Sequence, residues 1–423
     1  MKLIKAKGEI ILRHEVIIIG GGAAGMMTAI LLKDMGIDAA ILEGSDRVGK
    51  KLLTTGNGRC NITNKYATED RYHSDNPDFF KYALNAFKVS DTIDFFSSIG
   101  LPLTTLEEGK MYPVSLQASS VLDIMRLALS DRNISIYLNS KVKYIRKTKK
   151  GFILETSTNE SYECSKVILT CGGKSLAPTG SDGSGYAMAK NLGHKVVNPI
   201  PGIVQLKLHY QNLKALSGVK FNGIAELLID NELVKREFGE VLFTDYGISG
   251  PPILQLSRTA SYALSKGIKT SLKINIMYTM KYDELENFLE THFALFSHRS
   301  VHDCFIGIIN KKLIPVILKE AGITDIHKAA WDLNYREKKN LYNLLTSWEF
   351  AVTDTNGFSN AQVTAGGVDT KDVNPETMQS LLIPNLYFAG EILDVDGDCG
   401  GFNLQWAWSS AYVAANAASK LSK

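Results

Sequence analysis

The feature that most limits what this chain can fold into lies near its front. A short, β-branched apolar run, Glu15 to Ile19, passes directly into "GGGAAGMMTAILLKDMG", where Met26, Ala29, Ile30 and Met35 recur at helical spacing. Strand, tight turn and helix therefore follow one another without a spacer. Within the turn Gly20, Gly22 and Gly25 stand as GxGxxG. The first glycine suits the turn, the second lets backbone approach a pyrophosphate, and the third lets the helix pack against its strand. The helix N-terminus then presents unsatisfied N–H groups to a diphosphate. The next predicted strand, "DAAILE", ends in Glu43, 23 residues beyond Gly20, where a carboxylate accepts hydrogen bonds from an adenosine ribose. An acid there favours an unphosphorylated ribose, so FAD or NAD over NADP.

Two later stretches choose between them. "RVGKKLLTTGNGRCNITN", Arg47 to Asn64, is an irregular loop placed directly after the ribose carboxylate. A plain NAD domain has no need of it, whereas a flavin cofactor extends away from the adenosine and needs donors along its length. Near the C-terminus Leu386 to Ala389 reads as a buried strand, followed by Gly390 and Glu391 where the ribityl chain and pyrophosphate would pass. Gly400 and Gly401 then open a helix near Phe402. The N–H groups of Phe402, Asn403 and Leu404 would stabilise negative charge on the pyrimidine end of a reduced flavin. Trp406 and Trp408, on different faces of that helix, are read as packing residues.

The fold class expected is α/β: a two-part Rossmann-like FAD-binding domain with an inserted β-rich domain and a small helical domain. A first FAD-binding part is expected over 1–196, with a β-meander at 134–171. The β-rich insert is expected over 197–280, with a hairpin turning at Asp230-Asn231, the helical unit over 281–346, and a return strand with the second FAD-binding part over 347–423. At 423 residues the chain has room for two or three such units.

Composition removes several function classes. With 45% apolar and 22% charged residues the chain is an ordinary globular one, not a disordered one. No apolar run approaches a membrane span and the first residues lack a signal-peptide pattern, so a cytoplasmic protein without a membrane is expected. Five cysteines, odd in number and without a CxxC pair, fit neither a disulfide framework nor a zinc site. His298, His302 and Cys304 lack the zincin glutamate, and Asp394, Asp396 and Asp398 lack the glycine and glutamate of a calcium loop, so no metal is expected. A net charge of +3 neither requires nor excludes RNA. Lys141, Lys143, Arg146, Lys147, Lys149 and Lys150 cluster about one predicted turn and read first as a solvated face, second as an RNA contact.

The motifs "GGGAAG", "GKKLLTTGNGRCNITN", "CGGKSLAPTGSDGSGYAMA", "LFTDYGISGPPILQLSR", "TAGGV" and "LYFAGEILDVDGDCGGFNLQWAWSS" together resemble the BaiN/RdsA family of flavoproteins, also called YhiN-like, over about residues 15 to 415. That resemblance implies noncovalent FAD among Gly20, Gly22, Ala23, Ala24, Glu43, Lys51, Asn61, Val142, Gly172, Gly390, Glu391, Gly401, Phe402, Asn403 and Leu404. Gly25, Gly56, Cys60, Cys171 and Gly173 of the same segments complete the expected cofactor set. It also implies NAD(P)H as a transient electron donor and reduction of an activated C=C bond, uridine in ribosomal RNA being the leading substrate. A small-molecule substrate, an oxygen-using amine or aminoketone oxidase and a flavin-bearing RNA-binding or assembly factor stand as alternatives. Cys399 is the candidate proton donor, with Arg59, Cys60 and Asn61 as positioning groups. Oligomeric state is left open.

Overall fold

A computed structural model describes residues 2–6 and 9–420. Of the N-terminal stretch read for a leader, Met1, Lys7 and Gly8 lie outside the described residues. The chain divides into two compact units, Met1–Pro201 with Gln362–Lys423, and Gly202–Ala361.

The first unit is built on one sheet, with strands in the order Ser135–Tyr137, Ala39–Leu42, Glu9–Ile19, Ser161–Leu169, Gly151–Thr156, Val142–Thr148. The middle of it is parallel: Val16 to Ile19 lie beside Ala39 to Leu42 on one side and beside Lys166 to Leu169 on the other. Val16, Ile17 and Ile18 are wholly buried, as a parallel strand covered on both faces requires. The strand Leu386–Phe388 joins Val167 to Leu169 in parallel, so the C-terminal segment completes the sheet that the N-terminal one begins. The helices Ala23–Asp34 and Phe402–Ser419 pack against each other and share one apolar core with the sheet.

The meander expected at 134–171 is shorter and differently connected. Three strands form it, Val142–Thr148, Gly151–Thr156 and Ser161–Leu169. Ser135–Tyr137 instead pairs in parallel with Ala39–Leu42 at the opposite edge. Short strands close in sequence look alike; which edge each joins depends on the helix Ala118–Asp131 that carries the chain across.

The second unit holds a closed barrel of Leu206–His209, Gly247–Ser249, Glu232–Phe243, Lys220–Ile229, Thr270–Asn275 and Trp348–Thr355. The hairpin turns at Asp230 and Asn231, both with positive φ (50° and 69°), as a two-residue turn between twisted strands requires. The boundary expected at 347 falls inside this barrel, because Trp348–Thr355 closes it by pairing with both Leu206–His209 and Thr270–Asn275. The helices Tyr282–Leu295 and Tyr335–Ser347 likewise form no separate unit: Leu285, Leu289, Leu341 and Leu345 share one apolar cluster with the barrel residues Leu272, Ile274 and Phe350. The helix Pro251–Ser265, which sequence periodicity did not single out, packs into the same cluster through Ile253, Leu256 and Ala260. No helix among the described residues is long and apolar enough to cross a membrane.

Candidate functional site

Four parallel strands end side by side, at Ile19, Leu42, Leu169 and Phe388, and the residues following each are the expected glycines and acids. Ligands of open α/β sheets bind outside such carboxyl ends. After the first strand, a Cβ at Gly25 would lie 1.9 Å from the carbonyl oxygen of Gly20, so Gly25 serves close helix–strand packing. A Cβ at Gly22 would meet nothing within 4 Å, which leaves open space at the mouth of the Ala23–Asp34 helix.

Glu43 follows the second strand. Its Oε2 accepts from the Gly21 N–H at 2.7 Å and its Oε1 from the Ser45 N–H at 2.7 Å, which pins the carboxylate beside the glycine turn. Ser140 N–H donates to the Glu43 carbonyl at 2.8 Å, and Val142, two residues on, begins the outer strand with its side chain buried in the apolar core. The Arg47–Asn64 segment folds back onto the turn: Gly49 N–H donates to Gly21 O at 2.8 Å, and short 3-10 turns cover Lys50–Gly58. Lys51 Nζ lies 2.6 Å from Glu391 Oε2, while Glu391 Oε1 accepts from Thr364 N–H at 2.8 Å. Gly56 lies close against Asn61, its would-be Cβ 2.8 Å from the Asn61 nitrogen.

The third strand delivers Cys171, Gly172 and Gly173. Cys171 Sγ is 3.3 Å from Ile19 O, and burial pushes its thiol pKa up to about 12. Gly173 sits against Thr364 and Glu391. The fourth strand leads through Gly390 and Glu391 to the Asp396–Ala407 region. Gly401 caps the Phe402–Ser419 helix at φ 99°, and a Cβ there would lie 2.6 Å from Thr63 O and 2.8 Å from Asn61 Oδ1. Phe402 is buried edge-on to Tyr72, and Leu404 is half-buried. The Asn403 side chain turns back to Gly397, accepting from its N–H at 2.9 Å and donating to its carbonyl at 2.7 Å. Of this residue the backbone N–H, in the first helical turn, is the group available in kind to a ligand.

Two expected positioning groups behave differently from one another. Cys60 has a wholly buried side chain within the apolar core, and burial pushes its thiol to about 12, so the thiol is packing. Arg59 stays exposed and lies over the Tyr112 ring, 4.8 Å from its centroid. Cys399 is half-buried; burial raises its thiol above the ordinary value, the Lys110 ammonium opposes this, and Asp398 and Glu108 reinforce it. Its loop is held by Asn64, whose Nδ2 donates to Gly400 O at 2.8 Å and to Glu108 O at 3.2 Å.

Both tryptophans are structural. Trp406 Nε1 donates to Gly390 O at 3.1 Å and Trp408 Nε1 to Ile62 O at 2.9 Å, and both side chains are fully buried. Asp394 accepts from Asp75 N–H at 2.9 Å, and Asp398 Oδ1 lies 3.0 Å from His73 Nε2.

Ser181 and Tyr186, which carry no expectation from the sequence, join the expected Asn61 in one respect. Ser181 Oγ, Tyr186 OH and Asn61 Oδ1 are buried and lack a hydrogen-bond partner. Ser181 Oγ lies 3.0 Å from where a Gly172 Cβ would be, and Gly180 adjoins Glu43 Oε1. A buried polar atom left unpaired costs about 1–3 kcal/mol, so these atoms suit a polar ligand that satisfies them. An open helix mouth, a pinned carboxylate and unpaired polar atoms along one rim fit an elongated dinucleotide such as FAD.

Strand ends, glycine turn and split sheet define a dinucleotide-binding α/β protein of the two-part Rossmann type. Residues 14–417 match the family described as HI0933-like protein Rossmann domain, and the chain belongs to that family. It is 37% identical over 409 residues to the 3-dehydro-bile acid delta(4,6)-reductase of Clostridium scindens, covering 96% of this chain and 99% of that one. Against the ribosomal RNA dihydrouridine synthase of Escherichia coli it is 32% identical over 406 residues, 95% of this chain and 97% of the other. Against the ribosomal RNA dihydrouridine synthase of Haemophilus influenzae it is 30% identical over 407 residues, with the same coverage. The chain is an FAD-dependent oxidoreductase.

Proposed function

We propose that this oxidoreductase uses NAD(P)H to saturate a C=C bond conjugated to a carbonyl, with uridine in ribosomal RNA as its leading substrate. One observation supports the reading: near-full-length relatives are named for a bile-acid delta(4,6)-reductase and for dihydrouridine synthases, names that both describe saturation of a C=C bond in different substrates. The common element is the enone, or its uracil equivalent.

In this reading Gly20, Gly22, Ala23 and Ala24 meet the pyrophosphate, while Glu43, Val142, Gly172 and Ser181 meet the adenosine. Lys51, Gly173, Gly390 and Glu391 flank the ribityl chain. Asn61, Gly401 and the N–H groups of Phe402, Asn403 and Leu404 face the pyrimidine end. FAD supplies the hydride for the β carbon. The α carbon needs a proton, and Cys399 holds one on Sγ at neutral pH because burial raises its thiol. Lys110, whose charge acts on Cys399, is ion-paired with Glu108, and Arg59, exposed over the Tyr112 ring, is the positioning cation of this reading.

Anaerobic absorbance of the purified protein tests the proposal. Bleaching of the flavin band by NADH or NADPH, followed by reoxidation with an enone or a uridine-containing RNA, is expected. Bleaching by amines and by neither nicotinamide would make it an oxidase instead.

A further inference from the structure

We infer that the outer strand of the central sheet, Val142–Thr148 with its following turn, is a docking strip for the phosphodiester backbone of single-stranded RNA. The inference rests on the ribosomal-RNA reading above and adds where the polymer is held.

Six cations lie between Lys141 and Lys150, with no acid among them. The structure divides them into two kinds. Lys141 is ion-paired with Asp182. Lys147 donates to Pro384 O at 2.9 Å and lies 4.3 Å over the Phe152 ring, and burial lowers its pKa. These two are structural. Lys143, Arg146, Lys149 and Lys150 are exposed, and no ion pair involves them among the described residues.

The strand ends the sheet order, so Lys143 and Arg146 stand on an edge strand, and Lys149 and Lys150 stand on the turn that follows it. A strand advances about 3.3 Å per residue, so Lys143 and Arg146, three positions apart, lie roughly 10 Å from each other along the strand, and Lys149 and Lys150 extend the run of charge past its end. Tyr144, 62% exposed, stands in the same strip and presents an aromatic face on which a base can stack. One acid, Glu155, lies across from it in register on the neighbouring strand. Between Lys141 and Lys150, Tyr144 is the one large apolar side chain more than a third exposed, so the strip has nothing to insert into a lipid layer. Cations with interleaved aromatic surface and little apolar area match a polyanion with bases.

Lysines on an edge strand also guard against strand-to-strand aggregation. Salt dependence separates that role from RNA docking. Each phosphate neutralised on a single strand contributes a slope of about 0.7 in log K against log salt. Four contacts therefore give about 3. The experiment measures fluorescence anisotropy of a labelled oligouridylate with the full-length holoprotein across a salt series. The K143Q/R146Q/K149Q/K150Q variant is expected to lose about 3 from the slope and to bind roughly 10- to 100-fold more weakly at about 0.1 M salt. A control variant, K311Q/K312Q/K319Q/K339Q, removes the same charge from exposed lysines of the second unit and is expected to keep the slope. Equal losses in both variants, an unchanged slope in the first, or no binding by the unaltered protein would each overturn the strip. So would phosphatidylserine vesicles, if the first variant lost binding to them and kept its affinity for RNA. Flavin bleaching by NAD(P)H reports separately on the redox reading and is expected to be the same in all three proteins.

Discussion

At the scale of single residues, Glu43 carries the cofactor claim most directly. Its two oxygens already hold two backbone N–H groups beside the glycine turn, and each keeps a lone pair for a ribose hydroxyl. Hydrogen bonds to charged groups contribute about 1.5–3 kcal/mol, so Glu43→Ala is expected to weaken FAD binding on the order of 10- to 100-fold. Flavin-to-protein absorbance ratio after gel filtration measures this, and unchanged occupancy would remove Glu43 from the ribose. Cys399 gives a second residue-level expectation. A proton donor works while protonated, and its raised thiol pKa places the loss of activity on the alkaline side of the ordinary value of about 8.5. The kcat profile should fall as pH rises through that limb. Cys399→Ala should lose the limb and about 10²–10⁴-fold in rate, and a variant that kept both would show that the proton comes from elsewhere.

At the scale of elements, the C-terminal helix Phe402–Ser419 is both cofactor platform and pillar. Gln405, buried inside it, accepts from the Thr63 and Thr92 hydroxyls and donates to Phe87 O and to Ser409 Oγ. Every polar valence of that amide is used, three of them tying the helix to the segments of Thr63, Phe87 and Thr92 and one going to Ser409 of the helix itself. Trp408 does the same through Ile62 while packing edge-on against Phe96. Trp408→Ala is expected to cost roughly 3–5 kcal/mol of stability in denaturant titration. Flavin bound to the folded fraction should be unaltered, because the indole faces the core. Gross loss of flavin at full stability would place the ring at the cofactor.

At the scale of the whole molecule, buried thiols make stability depend on pH. Cys60 and Cys171 are pushed by burial to about 12, and Cys164 is raised further by the same cause. Above about pH 9 the unfolded chain releases these protons and the folded chain retains them. The unfolded state then binds fewer protons, so stability falls as pH rises toward 12, by about 1.4 kcal/mol per pH unit for each thiol. Urea titrations at rising pH should show this decline, and Cys60→Ala should make it shallower. Equal slopes in both proteins would mean that the Cys60 thiol ionises alike in the two states.

Local order carried the cofactor fold in the sequence. The turn at Gly20 to Gly25, the acid at Glu43 and the glycines before Phe402 obey rules that act over a few residues, and each stands where its strand or helix begins or ends. The hairpin at Asp230-Asn231 was legible for the same reason, since positive φ at two adjacent residues needs residues of that kind. Partnering across distance was not written locally. Nothing in "ISIYL" says that it joins the far edge of the sheet, and nothing in "WEFAVTDT" says that it closes a barrel begun at Leu206. Helical periodicity at 282–295 marks an apolar face without naming the barrel core it covers. The unpaired Ser181 and Tyr186 hydroxyls, likewise, are silent in sequence, because a serine or tyrosine becomes a ligand group only when folding buries it without a partner.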